Sequence, residues 1–123
     1  MAEDDALTQK FQKEMNSGAA SLVLLSVMSQ TNEPMYGYQI AKLLEDNSQN
    51  KPMMKQGALY PVLRSLEKSG LLVSTVEPSI SGPPRRYYTI TDNGRDTLII
   101  WQEIWDQTKT FVDSILKGVI HND

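Results

Sequence analysis

Apolar residues recur with helical spacing along the first part of the chain, residues 7–28. This spacing predicts one N-terminal helix, which is either straight or bent near Gly18. Its apolar positions are Leu7, Phe11, Met15, Leu22, Leu25 and Met28. Residues 30–34 end in proline and predict a loop, and a short second helix is predicted over 36–46. The apolar face of that helix comprises Tyr36, Ile40, Leu43 and Leu44.

A third amphipathic segment covers residues 55–69, where apolar and polar positions again alternate with helical spacing. The positions predicted to face inwards are Leu59, Val62, Leu63 and Leu66, and those predicted to face outwards are Gln56, Arg64 and Lys68. Gly70 follows in the C′ position at which helices end. Because Pro61 is tolerated only near a first turn, the helix either begins close to Gly57 or bends at the proline.

Two runs rich in β-branched and aromatic residues, 71–76 and 87–90, flank a segment rich in proline, serine and glycine, 78–85. This arrangement predicts a two-stranded hairpin with a long tip. Since an isolated hairpin is unstable, it must pack against the helices. Thr91 or Asp92 is placed to cap the helix that follows.

The last helix, predicted over 92–120, has the strongest pattern in the chain. Its apolar stripe comprises Leu98, Trp101, Trp105, Thr108, Val112, Ile115 and Val119, widened by Ile104, Phe111 and Leu116. At ~1.5 Å per residue the helix is about 44 Å long, which exceeds what one small domain can cover. The stripe therefore predicts a homodimer, with a helix folded back on its own core as the alternative.

Composition limits the function classes. The 123 residues fit a single globular domain, the chain has no cysteine, and its single histidine, His121, lies near the C-terminus. Disulfides, thiolate chemistry and histidine-rich metal sites are therefore excluded, and we find no catalytic or cofactor-binding motif. The sequence predicts a non-enzyme without metal or cofactor. Its acidic N-terminus and short apolar runs predict a cytoplasmic protein with no membrane partner.

The net charge of −3 conceals a segregation of charge along the chain. Basic and acidic residues number four and seven in 1–54, six and three in 55–95, and two and five in 96–123. The only basic segment comprises the third helix and the hairpin. A local positive field of this kind is typical of a module that docks one surface on nucleic-acid phosphates, although chance clustering of a few charges is the alternative.

The order helix, helix, helix, hairpin, helix is that of a winged helix-turn-helix, in which the third helix enters a major groove and the hairpin, or wing, reaches the flanking backbone or minor groove. The predicted fold is thus mainly α with a small β-hairpin (α+β). We divide the chain into a winged-helix DNA-binding domain with its N-terminal helix, 1–90, and a long C-terminal dimerisation helix, 91–123.

Three linked motifs give the sequence a specific resemblance to a known family. They are YGYQI at 36–40, GALYPVLRSLEKSGL at 57–71 and GPPRRYYTITDNG at 82–94. Over about residues 18–98 the chain resembles the PadR family of transcriptional regulators. The resemblance implies a winged helix, a dimer formed through the C-terminal helix, and repression released by small molecules. With one short C-terminal helix, the chain is similar to the compact branch, some members of which bind aromatic drugs between tryptophans at the dimer interface; Trp105 matches the stacking position.

Nine side chains are candidate contacts to double-stranded DNA: Tyr38, Gln39, Lys55, Gln56, Tyr60, Arg64, Lys68, Arg85 and Arg86. Gln56 either reads an adenine edge or belongs to ordinary helix surface. Tyr60 resembles the family's tyrosine near the DNA backbone, and packing between helices is its structural role. We expect Arg85 and Arg86 to contact phosphates or the minor groove, with simple solvation as the alternative. Arg64 and Lys68 either contact phosphates or form pairs on the helix surface.

A second candidate surface lies on the last helix and comprises Trp101, Ile104, Trp105, Thr108, Val112 and Ile115. It serves either plain dimer packing or a slot in which a small aromatic ligand stacks. The predicted function is a homodimeric PadR-like repressor that binds a pseudo-palindromic operator and is released by an aromatic effector. The alternative is a winged-helix protein-interaction module that dimerises without sequence-specific DNA binding.

Overall fold

The computed structural model describes residues 5–47 and 56–118. Within this part the elements are α1 (Ala6–Ser29), β1 (Met35–Tyr36), α2 (Gly37–Asn47), α3 (Gln56–Lys68), β2 (Leu72–Glu77), β3 (Arg85–Ile90) and α4 (Asp92–Leu116). The predicted fold class, mainly helical with a small antiparallel sheet, is confirmed. α1 continues without interruption through Gly18.

Every one of these helices and the wing contribute to one apolar core. Its buried members are Leu24, Leu25, Met28, Ile40, Leu59, Leu63, Leu66, Leu71, Leu72, Tyr88, Ile90 and Leu98. The inward positions predicted for α3 are correct, with Val62 partly buried at the edge of the core. On α2 the prediction was wrong for Leu43, which is 37% exposed because only Ile40 and Leu44 of that face turn towards the core.

The predicted hairpin is present, but it belongs to a sheet of three strands in the order β1-β3-β2. Tyr36 pairs with Tyr87, and Leu72 pairs with Ile90. The assignment of Tyr36 to the second helix was therefore wrong. Its backbone follows the loop in extended form, and the helix begins one residue later, at Gly37. A two-residue strand is too short to produce a visible alternation in sequence.

Gly70 ends α3 as predicted. Its φ of 81° lies in the left-handed region that glycine adopts without strain. The Gly70 N–H donates to the Glu67 carbonyl and the Leu71 N–H to the Leu66 carbonyl, both at 2.9 Å, which is the Schellman pattern. The helix begins at Gln56, beside Gly57, and contains Pro61. This sharp end turns the chain directly into the wing.

Thr91 is the N-cap of α4, and its hydroxyl accepts a 2.9 Å bond from the Gly94 N–H. The helix ends at Leu116, with Gly118 following at a φ of 84°. The predicted end near residue 120 was too late, because the apolar stripe continues in sequence beyond the point where the glycine ends the helix. At ~1.5 Å per residue α4 is about 37 Å long. Val119 lies outside the described residues.

Candidate nucleic-acid interface

α3 is amphipathic: its apolar face packs into the core, and its polar face is exposed. Leu59 and Leu63 are fully buried, while Arg64 and Lys68 are exposed on the opposite side. Ion pairs within the described ranges join Lys10 to Glu14 and Lys109 to Asp113, so the alternative surface pairs for Arg64 and Lys68 are not formed there. Lys55 and the side chain of Gln56 lie outside the part of the chain that the structure describes.

A chain of hydrogen bonds connects α3 to the wing. The Ser74 hydroxyl donates to Glu67 Oε2 at 2.6 Å, and Arg86 Nη1 donates to the Ser74 oxygen at 2.9 Å. Ser74 on β2 lies opposite Tyr88 on β3, and Arg86 is two residues from Tyr88 on the same face of that strand. Glu67 and Ser74 are half-buried, whereas Arg86 is exposed. The wing arginine is thereby tied to the third helix.

Tyr88 lies opposite Ser74 in the sheet, and burial and nearby charges shift the pKa of its phenol. Burial raises the pKa of the Tyr88 phenol, the nearby Glu67 carboxylate raises it further, and Arg86 and Arg64 lower it by a smaller amount. Glu67 lies three residues after Arg64 on α3 and is joined to Arg86 through Ser74, so both arginines lie near the junction of α3 and the wing.

Arg85 lies on the other face of β3, since successive strand residues alternate. Its guanidinium carbon is 4.5 Å from the centroid of the Tyr36 ring, a cation–π contact. The Tyr36 ring also meets Tyr87 edge-on at 5.3 Å and stacks on Tyr38 at 6.4 Å. The two wing arginines therefore point to opposite faces of the sheet. Arg86 is held by a hydrogen bond to Ser74, and Arg85 by the ring of Tyr36.

Two more of the candidate DNA contacts, Tyr38 and Gln39, lie at the start of α2. Tyr38 is 52% exposed. Gln39 Oε1 accepts a 3.1 Å hydrogen bond from the Tyr36 N–H, so its side chain closes the N-terminus of the helix in the manner of a capping box. This capping role was missed in the sequence because no serine or threonine precedes the helix.

Tyr60 is half-buried and packs against the core, with its ring over the Cα of Gly37. The packing role considered from the sequence is therefore present. Contact of its hydroxyl with DNA stays a prediction.

Glu67 and Ser74 are two residues of this site that the sequence did not identify. Glu67 looked like ordinary charged helix surface, and Ser74 has no sequence signal before the register of the hairpin is known.

The comparison with family models identifies the chain. Residues 24–99 match the model described as the transcriptional regulator PadR-like family. The chain belongs to this family of transcriptional regulators. The matched range runs from α1 through the wing into α4, so it includes all the elements that build the basic surface.

Solved structures agree with this assignment. A PadR family transcriptional regulator from Eggerthella lenta is 34% identical, with a TM-score of 0.77 over 96% of this chain and 98% of that one. A PadR-like regulator from Bacillus cereus is 31% identical, with a TM-score of 0.68 over 85% of this chain and 98% of that one. An uncharacterised protein of Lysinibacillus sphaericus is 29% identical over 84 residues, 68% of this chain and 77% of the relative.

The PadR-like chain also carries a second surface on α4. Leu98 is buried and Trp101 packs against the core, but the stripe beyond them is exposed within the single chain. Its exposed members include Ile104, Trp105, Thr108, Phe111, Val112, Ile115 and Leu116. The N-terminal half of α1 adds another exposed apolar row, Leu7, Phe11 and Met15.

An open cleft of about 810 Å³ lies between α1, the end of α2 and α4 of this PadR-like protein. Apolar residues of α1 and α2 and the ring of Trp105 form most of its wall, and Gln30, Asn47 and Gln102 supply amides. Of the two tryptophans predicted to face a ligand, Trp105 lines this cleft, whereas Trp101 contacts the core. In the described parts of the chain no helix has the length and apolar character needed to cross a membrane.

Proposed function

We propose that this chain is a DNA-binding transcriptional repressor that acts as a homodimer. The observation that carries the proposal is the hydrogen-bond chain from Glu67 of α3 through Ser74 to Arg86 of the wing, which holds the wing cation near the end of the helix that also carries Arg64. A winged helix needs this continuity, because its third helix and its wing must meet the same duplex. Cations on a rigid surface neutralise phosphates and set the register of the protein on the duplex.

In the proposed complex α3 enters the major groove, with Arg64 and Lys68 directed at the phosphates that border it. The wing follows the adjacent backbone and places Arg86 there, while Tyr38 at the start of α2 reaches the opposite edge of the groove. A twofold dimer places two α3 helices ~34 Å apart, about one turn of duplex. The expected operator is therefore pseudo-palindromic.

The exposed stripe of α4 supports the dimer. Large apolar side chains covering about four helical turns are unusual on the surface of a soluble monomer. A second copy, related by a twofold axis, offers the same stripe and the apolar row of α1, so each protomer can cover the other. The dimer would then combine two basic surfaces into one DNA-binding unit.

The experiment measures the fluorescence anisotropy of a labelled duplex from upstream of the protein's own gene as the protein is added. It is run at two salt concentrations, with a scrambled duplex beside the native one. A repressor binds the native duplex more tightly and loses affinity steeply as salt rises. The triple variant R64A/K68A/R86A should weaken binding and flatten the salt dependence, whereas K10A, near the start of α1 and outside the proposed surface, should do neither. Absence of binding at low salt would favour the alternative, a winged-helix module that only binds proteins.

We further propose that a small aromatic molecule releases the repressor by binding beside Trp105. The cleft of about 810 Å³ supports this, because its wall is mostly apolar and includes the ring of Trp105, on which an aromatic ligand can stack. To act as an effector, the ligand must bind better to the dimer geometry that does not fit DNA, with a difference of about 1–3 kcal/mol.

Tryptophan fluorescence tests the effector. Stacking on Trp105 should quench the emission of wild type and of W101F, but leave W105F unchanged, because that variant retains only the tryptophan packed in the core. A panel of aromatic compounds that leaves all three signals unchanged would contradict the proposal. Reduced DNA affinity in the presence of a quenching compound would link the cleft to release.

A further inference from the structure

We infer that Ser74 and Glu67 are positioning residues that hold Arg86 ready for a DNA phosphate. This inference deepens the proposed DNA-binding function and rests on it. Two hydrogen bonds carry it, from the Ser74 hydroxyl to Glu67 Oε2 at 2.6 Å and from Arg86 Nη1 to the Ser74 oxygen at 2.9 Å. The three side chains come from α3, β2 and β3, so the chain of bonds crosses the junction between the third helix and the wing.

The chemistry of serine sets the direction of the bonds. A hydroxyl has one hydrogen to donate, and here it goes to the carboxylate, which leaves the oxygen lone pairs to accept from the guanidinium. Donation to the Glu67 side-chain oxygen makes the hydroxyl oxygen a better acceptor for Arg86, because neighbouring hydrogen bonds polarise one another. Glu67 thus fixes the Ser74 hydroxyl, and the hydroxyl fixes one end of Arg86.

Arg86 retains most of its donors for another partner. A guanidinium has five N–H groups in a planar fork, and the bond to Ser74 uses one group on Nη1. The side chain is exposed, so the rest of the fork can reach a phosphate oxygen. An untethered arginine loses much rotamer freedom when it binds, whereas an arginine already held by Ser74 loses less. The tether therefore raises affinity without being a DNA contact itself.

The same bonds place the wing relative to α3. Glu67 belongs to the last turn of α3, and the Schellman turn at Gly70 leads from it directly into β2. The bond between Glu67 and Ser74 spans that turn and restrains the angle between the helix and the hairpin. Arg86 is consequently held near Glu67, which lies three residues after Arg64 on α3.

A double-mutant cycle with Ser74 and Arg86 tests the inference. The probe is a labelled duplex of random sequence at low salt, since phosphate contacts do not require an operator. We expect R86A to weaken binding about tenfold and S74A about three- to tenfold, and we expect S74A to add almost nothing in the R86A background. S74T keeps the hydroxyl and should bind within about twofold of wild type.

The salt dependence separates positioning from contact. R86A should reduce the slope of log affinity against log salt by about one, because it removes a phosphate contact. S74A should lower affinity with the slope unchanged, because the Arg86 cation remains and only the fixed position of its side chain is lost. E67Q should bind at least as tightly as wild type, since the amide oxygen still accepts from Ser74 while a negative charge near the DNA is removed. T75A, on the opposite and exposed face of β2, is the matched control.

Several outcomes would overturn the inference. Equal losses from S74A with and without Arg86 would show that Ser74 acts on the fold of the wing, and thermal unfolding of each variant measures that effect independently. Failure of S74T to restore binding, or a loss in E67Q equal to that in S74A, would remove the hydrogen-bond chain as the cause. If wild type binds and R86A binds equally well, this inference fails alone; if wild type binds no duplex at low salt, the proposed function fails with it.

Discussion

The ring of Tyr60 lies directly against the Cα of Gly37, in the space that a Cβ would occupy at that position. Gly37 is the first residue of α2 and Tyr60 lies in the middle of α3, so this contact sets how closely the two helices approach. Glycine is required here by the neighbouring ring and not by backbone conformation, because Gly37 is absent from the glycines with positive φ. The spacing of α2 and α3 in turn places Tyr38 relative to Arg64.

Gly37→Ala should therefore lower stability by about 1–3 kcal/mol, because a methyl group must displace the Tyr60 ring from its packed position. Urea unfolding followed by circular dichroism measures the change. Gly18→Ala is the matched control, since a Cβ at Gly18 meets no atom within 4 Å and alanine is the better helix former. That variant should be as stable as wild type or more so.

The double variant G37A/Y60L tests the cause of the loss. Leucine lacks the outer ring atoms that a Cβ at position 37 would meet, so the two substitutions should be strongly non-additive. Simple addition of the two single losses would show that the glycine is needed for some other reason.

Thr91 links the wing to α4 through three hydrogen bonds. Its hydroxyl accepts from the Gly94 N–H at 2.9 Å and donates to the Gly70 carbonyl at 2.7 Å, while its own N–H donates to the Leu71 carbonyl at 3.1 Å. Thr91→Ala removes the first two and should reduce the free energy of unfolding by about 1–2 kcal/mol. Thr91→Ser should retain most of it, and thermal unfolding of the three proteins compares them. A serine variant as unstable as the alanine variant would contradict the capping role.

Local signals in the sequence predicted most of the fold. Gly70 and Thr91 marked helix boundaries, and periodicity identified the inward residues of α3, because each of these features depends on residues a few positions away. Tyr36 was assigned wrongly since its strand is defined by pairing with Tyr87, about fifty residues later. The end of α4 was misplaced because the apolar pattern continues past Gly118.

In the candidate site, too, some residues could be predicted from local sequence and others could not. Arg64 and Arg86 could be chosen from charge and element order alone. Glu67 and Ser74 could not, because their roles depend on the angle between α3 and the wing, which no local pattern encodes. Likewise, the contact of Arg85 with Tyr36 follows only from the third strand. Exposed cations proposed to contact DNA are thus easier to predict than the residues that position them.

Tyr88 makes stability depend on pH in the alkaline range. Burial and the nearby Glu67 carboxylate raise the pKa of its phenol above the usual 10.0, with Arg86 and Arg64 lowering it less and Tyr60 raising it slightly. The unfolded chain therefore loses this proton at a lower pH than the folded chain. The stabilising contribution is complete below pH 10.0 and is lost as the pH rises through the folded-state pKa.

Denaturant unfolding at neutral pH and at a pH above 10.0 should thus show a loss of stability for wild type. Tyr88→Phe should show a smaller loss, because its ring has no proton to release. Tyr38→Phe removes an exposed phenol instead and should behave as wild type does. Equal alkaline losses in Tyr88→Phe and wild type would assign the pH dependence to other groups.

Val112 tests the proposed dimer most directly, because it lies at the centre of the exposed α4 stripe and is itself 45% exposed in the single chain. Val112→Glu should leave the fold intact but place a carboxylate in the dimer interface, raising the dimer dissociation constant at least about a hundredfold. Thr110→Glu adds the same charge on the opposite face of the helix and should leave the dimer unchanged. Sedimentation velocity measures association, and circular dichroism checks that both variants are folded. DNA affinity should fall with dimerisation in Val112→Glu, because a monomer presents only one α3 and one wing to the duplex. A folded Val112→Glu variant that stays dimeric would place the interface elsewhere on the chain.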